Sequence, residues 1–325
     1  MLKLMSYNPI LIVHGEPNSI FFEIFFKSIR SKKFKSPLIL ICSHKLLKFQ
    51  MKVLKFKKKI NIIKVSDLKI KKINNNAINV INIDYKFNSG FQKISKKSSG
   101  YIKKSLDAAF QILNLGITNK FINGPISKKA FLNKNYLGMT EYIAKKFNTK
   151  KYAMLIFNKK LSVCPITTHL PLKLVANKIN NNLIVDKVIL VNNFYKSFYN
   201  KKPKIAVLGL NPHCESIHKF NEDEKIIKPT ISYLKKLKYN ISGPYSADTA
   251  FMTNNRKKFD VILGMYHDQV LTPLKTLFEY DAFNITLGLP FLRISPDHGP
   301  NEKMMGKNTS NPLSLTKAIS FLDKN

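Results

Sequence analysis

The segment PILIVHGEP at residues 9–17, with SIFFEIFFKSIR at 19–30 and SPLILICS at 36–43, decides the fold class of this chain. The first and third segments are short apolar runs bounded by turn residues, a pattern typical of buried β-strands. The middle segment has the i, i+3, i+4 apolar spacing of a helix. A strand, a helix and a second strand in this order predict a parallel sheet covered by helices, and hence the α/β class.

The same alternation continues along the first half of the chain. The pattern predicts a helix over 45–56, a strand over 77–84 and a long helix over 99–116, which ends at a glycine suited to closing a helix. The lysine-rich stretches 62–78 and 88–99 are polar and are predicted to form loops.

A second unit is predicted to begin near residue 130. The segment 151–179 has the pattern of a β-hairpin, a loop and a helix that begins at Leu172, and further strands are predicted within 204–210 and 259–264. Polar residues follow several of these strands at their carboxyl ends, which is where open parallel sheets bind ligands.

The chain of 325 residues carries a formal charge of +36, which would suit a nucleic-acid-binding protein. Only three of its 55 basic residues are arginines, however, and nucleic-acid recognition depends strongly on the bidentate arginine side chain. The lysines are also spread along the chain among asparagines. We therefore expect a solvated basic surface and no specific nucleic-acid partner, although the charge could help to attract an anionic substrate.

The cysteines and the apolar runs bear on the cellular compartment. Cys42, Cys164 and Cys214 are odd in number and have no CxxC spacing, which argues against a disulfide framework. No apolar run approaches the roughly 18–20 residues that span a bilayer. The apolar N-terminal stretch is short and is predicted to form the first strand rather than a signal peptide. We expect a cytoplasmic protein without membrane contact.

Three of the seven histidines stand in short motifs that follow predicted strands: His169 in TTHLP, His213 in LNPH and His267 in MYHDQ. Neutral imidazole is the commonest protein ligand of catalytic metals, and three protein ligands with one open position are the usual arrangement of a catalytic site. The motifs therefore predict a metal-assisted enzyme. For His169 the alternative is a loop histidine that caps the following helix.

Other polar residues near these motifs are candidates for supporting roles. Glu215 and His218 could hold the histidine of LNPH in place, whereas Cys214 is expected to pack. Asp268 directly follows the histidine of MYHDQ. Asp248 in GPYSADTAF is either a further oxygen ligand or a helix N-cap.

The segment NITLGLPFLRISPDHGP at 284–300 contains Arg293, one of the three arginines in a chain that otherwise uses lysine. This choice indicates a need for a planar bidentate donor towards phosphate or carboxylate. Lys275 and Asn284 could contact the same anion. The alternative for Arg293 is a surface salt bridge, which would contribute little.

Three common fingerprints are missing from the sequence. No GxGxxG follows the first predicted strand, and neither GxxxxGK[ST] nor GxSxG occurs. The usual dinucleotide-binding loop, the P-loop and the nucleophile elbow of hydrolases are therefore not supported.

Taken in order, the motifs resemble a known family. GEP, the helix with DAAF, GPISKKAF, GMTEY, TTHLPL, GLNPH, GPYSADTAF, MYHDQ and NITLGLPFLRISPDHG follow one another as in the 4-hydroxythreonine-4-phosphate dehydrogenase family of vitamin B6 biosynthesis. The resemblance covers nearly the whole chain, and MYHDQ and NITLGLPF are its most specific parts.

The resemblance implies an architecture like that of isocitrate and isopropylmalate dehydrogenases. Two α/β/α domains would flank an interdomain cleft that holds the active site. Residues 1–129 with 257–325 would bind the dinucleotide, and residues 130–256 would bind metal and substrate and mediate dimerisation. The enzyme would be a homodimer whose metal site draws on both subunits.

The resemblance also implies three groups of site residues. The metal ligands would be His169, His213 and His267, with Asp248 in support. The substrate contacts would be Met139, Thr140, Lys275, Asn284 and Arg293, and the catalytic residues would be Lys275 and Asp268. It assigns no residue to the dinucleotide.

The implied reaction is the oxidation of 4-phosphooxy-L-threonine. NAD or NADP would accept hydride from C3, and the resulting β-keto acid would lose carbon dioxide to give 3-amino-2-oxopropyl phosphate. A divalent zinc, magnesium or cobalt ion would polarise the alcohol. Two alternatives stay open: a related dehydrogenase for phospho-erythronate or phospho-threonate, and a basic nucleic-acid-binding protein.

The chain departs from the family pattern at three places. Met139 stands where the family has the histidine of GHTE, so that a hydrogen bond to substrate is missing. Phe21 and Phe22 stand in a loop that is usually rich in small residues, where their bulk is expected to reshape the cleft. Asn308 stands where glycine is expected beside the dinucleotide.

Overall fold

The computed structural model describes residues 8–69, 73–89, 91–132, 136–215 and 221–324. The chain divides into two compact units, of which the first contains Met1–Met139 and Pro290–Asn325 and the second Thr140–Leu289.

The described residues of the first unit form six strands: β1 (Ile10–Val13), β2 (Leu38–Cys42), β3 (Ile60–Ile62), β4 (Ile78–Asn82), β5 (Lys120–Asn123) and β12 (Leu292–Pro296). Their order is β3-β4-β2-β1-β5-β12, and every neighbouring pair is parallel. All residues of β1 and β2 are buried, as expected for central strands that are covered on both faces.

The helices of the first unit follow the predicted alternation. They are α1 (Phe21–Ser31), α2 (His44–Val53), α3 (Ser99–Asn114), the short α4 (Lys128–Phe131) and α12 (Leu313–Lys324). The first three confirm the helices predicted at 19–30, 45–56 and 99–116. The loop prediction for 62–78 is wrong in part, because Val65–Lys69 forms a 3-10 helix.

Six strands are likewise present in the described part of the second unit: β6 (Ala153–Phe157), β7 (Ser162–Pro165), β8 (Ile205–Leu208), β9 (Ile241–Tyr245), β10 (Val261–Gly264) and β11 (Phe283–Leu287). Their order is β11-β6-β7-β10-β8-β9. The pairs that involve β6 are antiparallel, which confirms the predicted hairpin, and the pairs from β7 to β9 are parallel.

The helices of the second unit connect these strands. They are α5 (Met139–Lys146), α6 (Val175–Lys178), α7 (Asn181–Tyr199), α8 (Lys228–Lys236), α9 (Ala247–Ala250), α10 (Thr253–Arg256) and α11 (His267–Phe278). A 3-10 turn at Leu172–Leu174 precedes α6, so the chain turns helical where predicted. Within the described part of the chain, no helix is both long and apolar enough to cross a membrane.

The boundaries of the units differ from those expected. Residues 257–289 were expected to join the first unit, but β10 pairs with β7 and β8, and β11 pairs with β6, so this segment belongs to the second unit. The physical reason is that an apolar strand does not show in its own sequence which sheet it will join. The assignment of dinucleotide binding to one unit, and of metal binding, substrate binding and dimerisation to the other, remains a prediction.

Candidate functional site

The three motif histidines follow three adjacent parallel strands of the second unit. Strand β10 lies between β7 and β8, with Gly264 opposite Pro165 and Leu263 opposite Val207. His169, His267 and His213 come shortly after the carboxyl ends of β7, β10 and β8 respectively. Because these strands are parallel, the three motifs start from one edge of the sheet, as the sequence predicts.

Two of the three imidazoles come together. The ring centroids of His169 and His267 are 5.7 Å apart. Two imidazoles that each place a nitrogen about 2.0–2.1 Å from one cation have centroids roughly 5–6 Å apart, so this pair suits a shared metal. His267 Nδ1 lies 2.8 Å from Asp268 Oδ1, so that Nε2 is the ring nitrogen not engaged by this carboxylate.

The other predicted metal ligands are not brought into such a group. His213 is exposed, has a left-handed φ of 55° and lies in the turn Pro212–Cys214. Asp248 is exposed within α9, and Ser246 occupies the N-cap position there, so Asp248 is not the cap. Among the residues that the structure describes, no three His, Cys, Asp or Glu side chains are placed to hold a metal ion.

The loops that carry His169 and His267 are joined by hydrogen bonds. The backbone amide of Ile166 donates to the carbonyl oxygen of Gly264 at 2.7 Å, and the Thr167 hydroxyl donates to that of Met265, also at 2.7 Å. Gln269 connects these two loops to the loop that carries His213. Its Oε1 accepts from the amide of Met265, and its Nε2 donates to the carbonyl oxygen of Gly209, which directly follows β8.

The loop before His213 is fixed by a buried carboxylate. Asp223 is fully buried, and its oxygens accept from the amides of Leu210 at 2.8 Å and Asn211 at 3.0 Å. Cys214 is buried, in keeping with a packing role. Glu215 is exposed. His218, the other candidate for support of this loop, lies outside the described residues.

Glu141 is a further polar residue beside His169. The Thr168 hydroxyl donates to Glu141 Oε1 at 2.9 Å, and His169 Nδ1 lies 3.7 Å from the same oxygen. Burial acts to raise the pKa of the Glu141 carboxyl, but the neighbouring imidazole and hydrogen bonds outweigh burial, so the pKa lies below its usual value. Glu141 therefore presents a negative charge to His169.

Sequence reasoning missed Glu141, Gln269 and Asp223 as site residues. Two of them stand inside the quoted motifs GMTEY and MYHDQ, so a polar residue within a specific motif was the available signal. Asp223 carries no comparable signal, because its partners lie in another loop.

The predicted substrate contacts lie in both units. Met139, the last residue of the first unit's N-terminal segment, is half-buried. In the second unit, Thr140 is buried at the start of α5 and Lys275 is exposed on α11. Asn284 is half-buried on β11, and its buried Oδ1 has no hydrogen-bond partner within the described part of the chain.

Arg293 lies on β12 in the first unit and is 2% exposed. Its Nε donates to Asn123 Oδ1 at 2.7 Å. A surface salt bridge, the alternative considered for this arginine, is therefore wrong. A buried guanidinium has to be matched by hydrogen-bond acceptors, which is consistent with a specific role.

A family model for the pyridoxal phosphate biosynthetic protein PdxA matches residues 33–322 of the chain. The chain belongs to the PdxA family. A 4-hydroxythreonine-4-phosphate dehydrogenase of Sulfurihydrogenibium sp. (strain YO3AOP1) is 37% identical over 320 residues, which cover 95% of this chain and 96% of that protein. A D-threonate 4-phosphate dehydrogenase of Pectobacterium atrosepticum is 32% identical over 209 residues, which cover 63% of this chain and 64% of that protein.

Solved structures agree with the PdxA assignment. A 4-hydroxythreonine-4-phosphate dehydrogenase from Klebsiella pneumoniae superimposes with a TM-score of 0.81 at 27% identity, covering 97% of this chain and 98% of the other. An isocitrate dehydrogenase from Methylococcus capsulatus gives a TM-score of 0.52 at 9% identity, covering 97% of this chain and 84% of the other, which shows likeness of fold alone. The family and the fold class predicted from the sequence are thereby confirmed.

The departures from the PdxA family pattern have structural consequences. Phe21 and Phe22 are fully buried, and Phe22 stacks on His14 with ring centroids 3.8 Å apart, so their bulk fills the core of the first unit. Asn308 has a left-handed φ of 56°. Glycine adopts this conformation freely and asparagine tolerates it better than most residues, so the backbone keeps the form that a glycine there would allow.

Proposed function

We propose that this chain is a metal-dependent dehydrogenase that converts 4-phosphooxy-L-threonine and NAD or NADP to 3-amino-2-oxopropyl phosphate, carbon dioxide and the reduced dinucleotide. The family match and the 37% identity to a 4-hydroxythreonine-4-phosphate dehydrogenase over nearly the full chain support this activity. The structural observation that supports metal dependence is the pair of neighbouring imidazoles, His169 and His267, at the carboxyl edge of the second unit's sheet.

The residues present suit a divalent cation such as zinc, magnesium or cobalt. His169 and His267 would hold it, and Asp268 would fix the ring of His267 through Nδ1. The described residues of one chain supply only this pair, so a homodimer in which the partner subunit completes the donor set accounts for the remaining ligands. A bound cation would supply Lewis-acid polarisation of the substrate alcohol.

The proposed substrate contacts differ in the chemical group of the substrate that each would bind. The buried guanidinium of Arg293 suits the phosphate or carboxylate, and the exposed amine of Lys275 adds a second cation. The unpartnered Oδ1 of Asn284 is an acceptor for a substrate amine or hydroxyl hydrogen. Thr140 supplies a hydroxyl at the start of α5.

The proton of the substrate alcohol needs an acceptor. Lys275 and Asp268 are the candidates, both on α11. Asp268 is already within hydrogen-bond distance of His267, so it would act as base only through water, whereas Lys275 would act directly.

A second candidate function has its own support. Met139 cannot make the strong hydrogen bond of the histidine in GHTE, and one relative is a D-threonate 4-phosphate dehydrogenase. A substrate without the amino group, such as phospho-threonate or phospho-erythronate, is therefore the alternative.

The deciding experiment measures reduced dinucleotide formation with a panel of phosphorylated hydroxy acids. Each substrate is offered with zinc, magnesium, manganese or cobalt, and with NAD or NADP. We expect 4-phosphooxy-L-threonine to give the highest kcat/KM. A higher value for phospho-D-threonate would establish the alternative, and no turnover with any combination would refute both.

A further inference from the structure

We infer that Glu141 is a positioning residue for His169: it holds the imidazole in the tautomer that presents Nε2 to a cation. This inference rests on the proposed function, because it assumes that His169 binds metal. It goes further by assigning a role to a carboxylate that stands outside the predicted ligand set.

The first argument is geometric. Glu141 lies in the first turn of α5, and its side chain is 13% exposed. One of its oxygens, Oε1, accepts from the Thr168 hydroxyl and lies 3.7 Å from His169 Nδ1. The carboxylate thus faces the nitrogen of His169 that a metal bound at Nε2 would leave free.

The second argument concerns unpaired polar atoms. Among the residues that the structure describes, the buried His169 Nδ1 has no hydrogen-bond partner, and the same holds for Glu141 Oε2. Buried polar atoms without partners are rare because each loses its hydrogen bonds to water. A small rotation of either side chain would let Nδ1–H donate to the carboxylate and satisfy both. With the proton fixed on Nδ1, the lone pair lies on Nε2.

The third argument is that the backbone around His169 is already constrained. His169 has a left-handed φ of 53°, which is uncommon for a residue other than glycine, and Thr167 is bonded to Met265 on the neighbouring strand's loop. The backbone therefore fixes the position from which the His169 side chain extends, and the Glu141 carboxylate determines which ring nitrogen carries the proton. Carboxylate–histidine–metal triads of this kind typically raise metal affinity 10- to 100-fold.

Glu141 could instead serve only to stabilise α5, since a carboxylate in the first turn of a helix interacts favourably with the helix dipole. The two roles predict different results for Glu141→Gln. Glutamine keeps the size and an oxygen for the Thr168 hydroxyl, but it removes the charge towards Nδ1. A structural role alone would change thermal stability and leave the metal affinity of the folded protein unchanged.

The test is a titration of the full-length, metal-free protein with Co²⁺ alone, followed by its visible absorption bands. We expect Glu141→Gln to weaken Co²⁺ binding roughly 10- to 100-fold. The control Glu279→Gln removes an exposed carboxylate from the same unit and should bind Co²⁺ as the wild type does. Equal affinity of Glu141→Gln and wild type would overturn the inference.

The wild-type titration separates this inference from the proposed function. If the wild type shows no Co²⁺ bands, or bands that survive His267→Ala, the metal site itself is wrong. A second readout needs no metal: nitrogen chemical shifts of the ¹⁵N-labelled histidine rings should show His169 protonated on Nδ1 in the wild type and a tautomer mixture in Glu141→Gln. If Glu141→Gln does not fold, Glu141→Asp shortens the carboxylate and should give the same direction of change in both readouts.

Discussion

Gln269 in the first turn of α11 donates from Nε2 to the carbonyl oxygen of Gly209, at 2.8 Å, in the loop that follows β8. The Oε1 of the same side chain accepts from the backbone amide of Met265. One side chain therefore ties together the loops that carry two of the three motif histidines.

Replacing Gln269 with alanine should loosen both loops. The substitution leaves the Met265 amide and the Gly209 carbonyl without their partner, which should reduce the free energy of unfolding by about 1–3 kcal/mol. Denaturant unfolding measures this loss, and dehydrogenase assays should show a lower kcat. Gln111→Ala on the exposed face of α3 is the control and should change stability by less than about 0.5 kcal/mol. Unchanged stability in Gln269→Ala would show that the bridge is not formed in solution.

Asp223→Ala should destabilise the loop before His213. The fully buried carboxylate accepts from two backbone amides, Leu210 and Asn211, and its removal leaves both unpaired, at a cost of about 2–5 kcal/mol. Asp186→Ala removes a carboxylate that pairs with the exposed Lys151, and it should cost about 0–1 kcal/mol. Comparable losses in the two variants, measured by thermal and denaturant unfolding, would contradict the role of Asp223.

Met139→His should improve substrate binding if the phosphorylated amino acid is the true substrate. Histidine would supply the hydrogen bond that the family pattern has at this position and that methionine lacks. One added hydrogen bond should lower KM roughly 2- to 10-fold. Met252→His, at a site 58% exposed, is the control and should leave KM unchanged. A higher KM for 4-phosphooxy-L-threonine, with phospho-threonate turnover reduced as well, would indicate that the pocket has adapted to methionine.

The stability of the first unit should depend on the protonation of His14. Burial lowers the pKa of this fully buried imidazole from 6.5 to about 3. Below pH 6.5 the unfolded chain therefore binds a proton at His14 more readily than the folded protein does. The free energy of unfolding should decrease as the pH falls from 6.5 towards 3, by at most about 4–5 kcal/mol. His14→Gln removes the titrating group and should flatten this part of the curve. His44→Gln should change it less, because this half-buried imidazole has a less strongly lowered pKa. Equal acid sensitivity of His14→Gln and wild type would rule out this contribution.

More of the fold than of the site could be predicted from the sequence, because apolar periodicity is visible within a single segment of the chain. The segment 19–30 shows its helix directly, whereas β3 escaped prediction because its three residues are partly exposed at the sheet edge and form no apolar run. The placement of His169 and His267 at one edge followed from the strand pattern. Their separation, and the contacts of Glu141 and Gln269, depend on loops distant in sequence, which periodicity does not report.

Arg293→Lys tests whether the buried guanidinium serves the substrate or only the core of the first unit. Lysine keeps the charge but loses the planar fork and the Nε donor that reaches Asn123 Oδ1. If Arg293 binds the phosphate or carboxylate, KM should rise roughly 10- to 100-fold, as expected for a lost charge-assisted hydrogen bond, while kcat falls less. Arg30→Lys is the control, because its guanidinium lies 5.2 Å from the centre of the Phe56 ring and lysine can keep that contact. Steady-state kinetics and thermal unfolding are measured on the same variants. A lower Tm without any rise in KM would show that Arg293 serves only the core of the first unit. A rise in KM at nearly constant Tm would assign it to the substrate, because a guanidinium that only filled the core would affect folding before it affected binding.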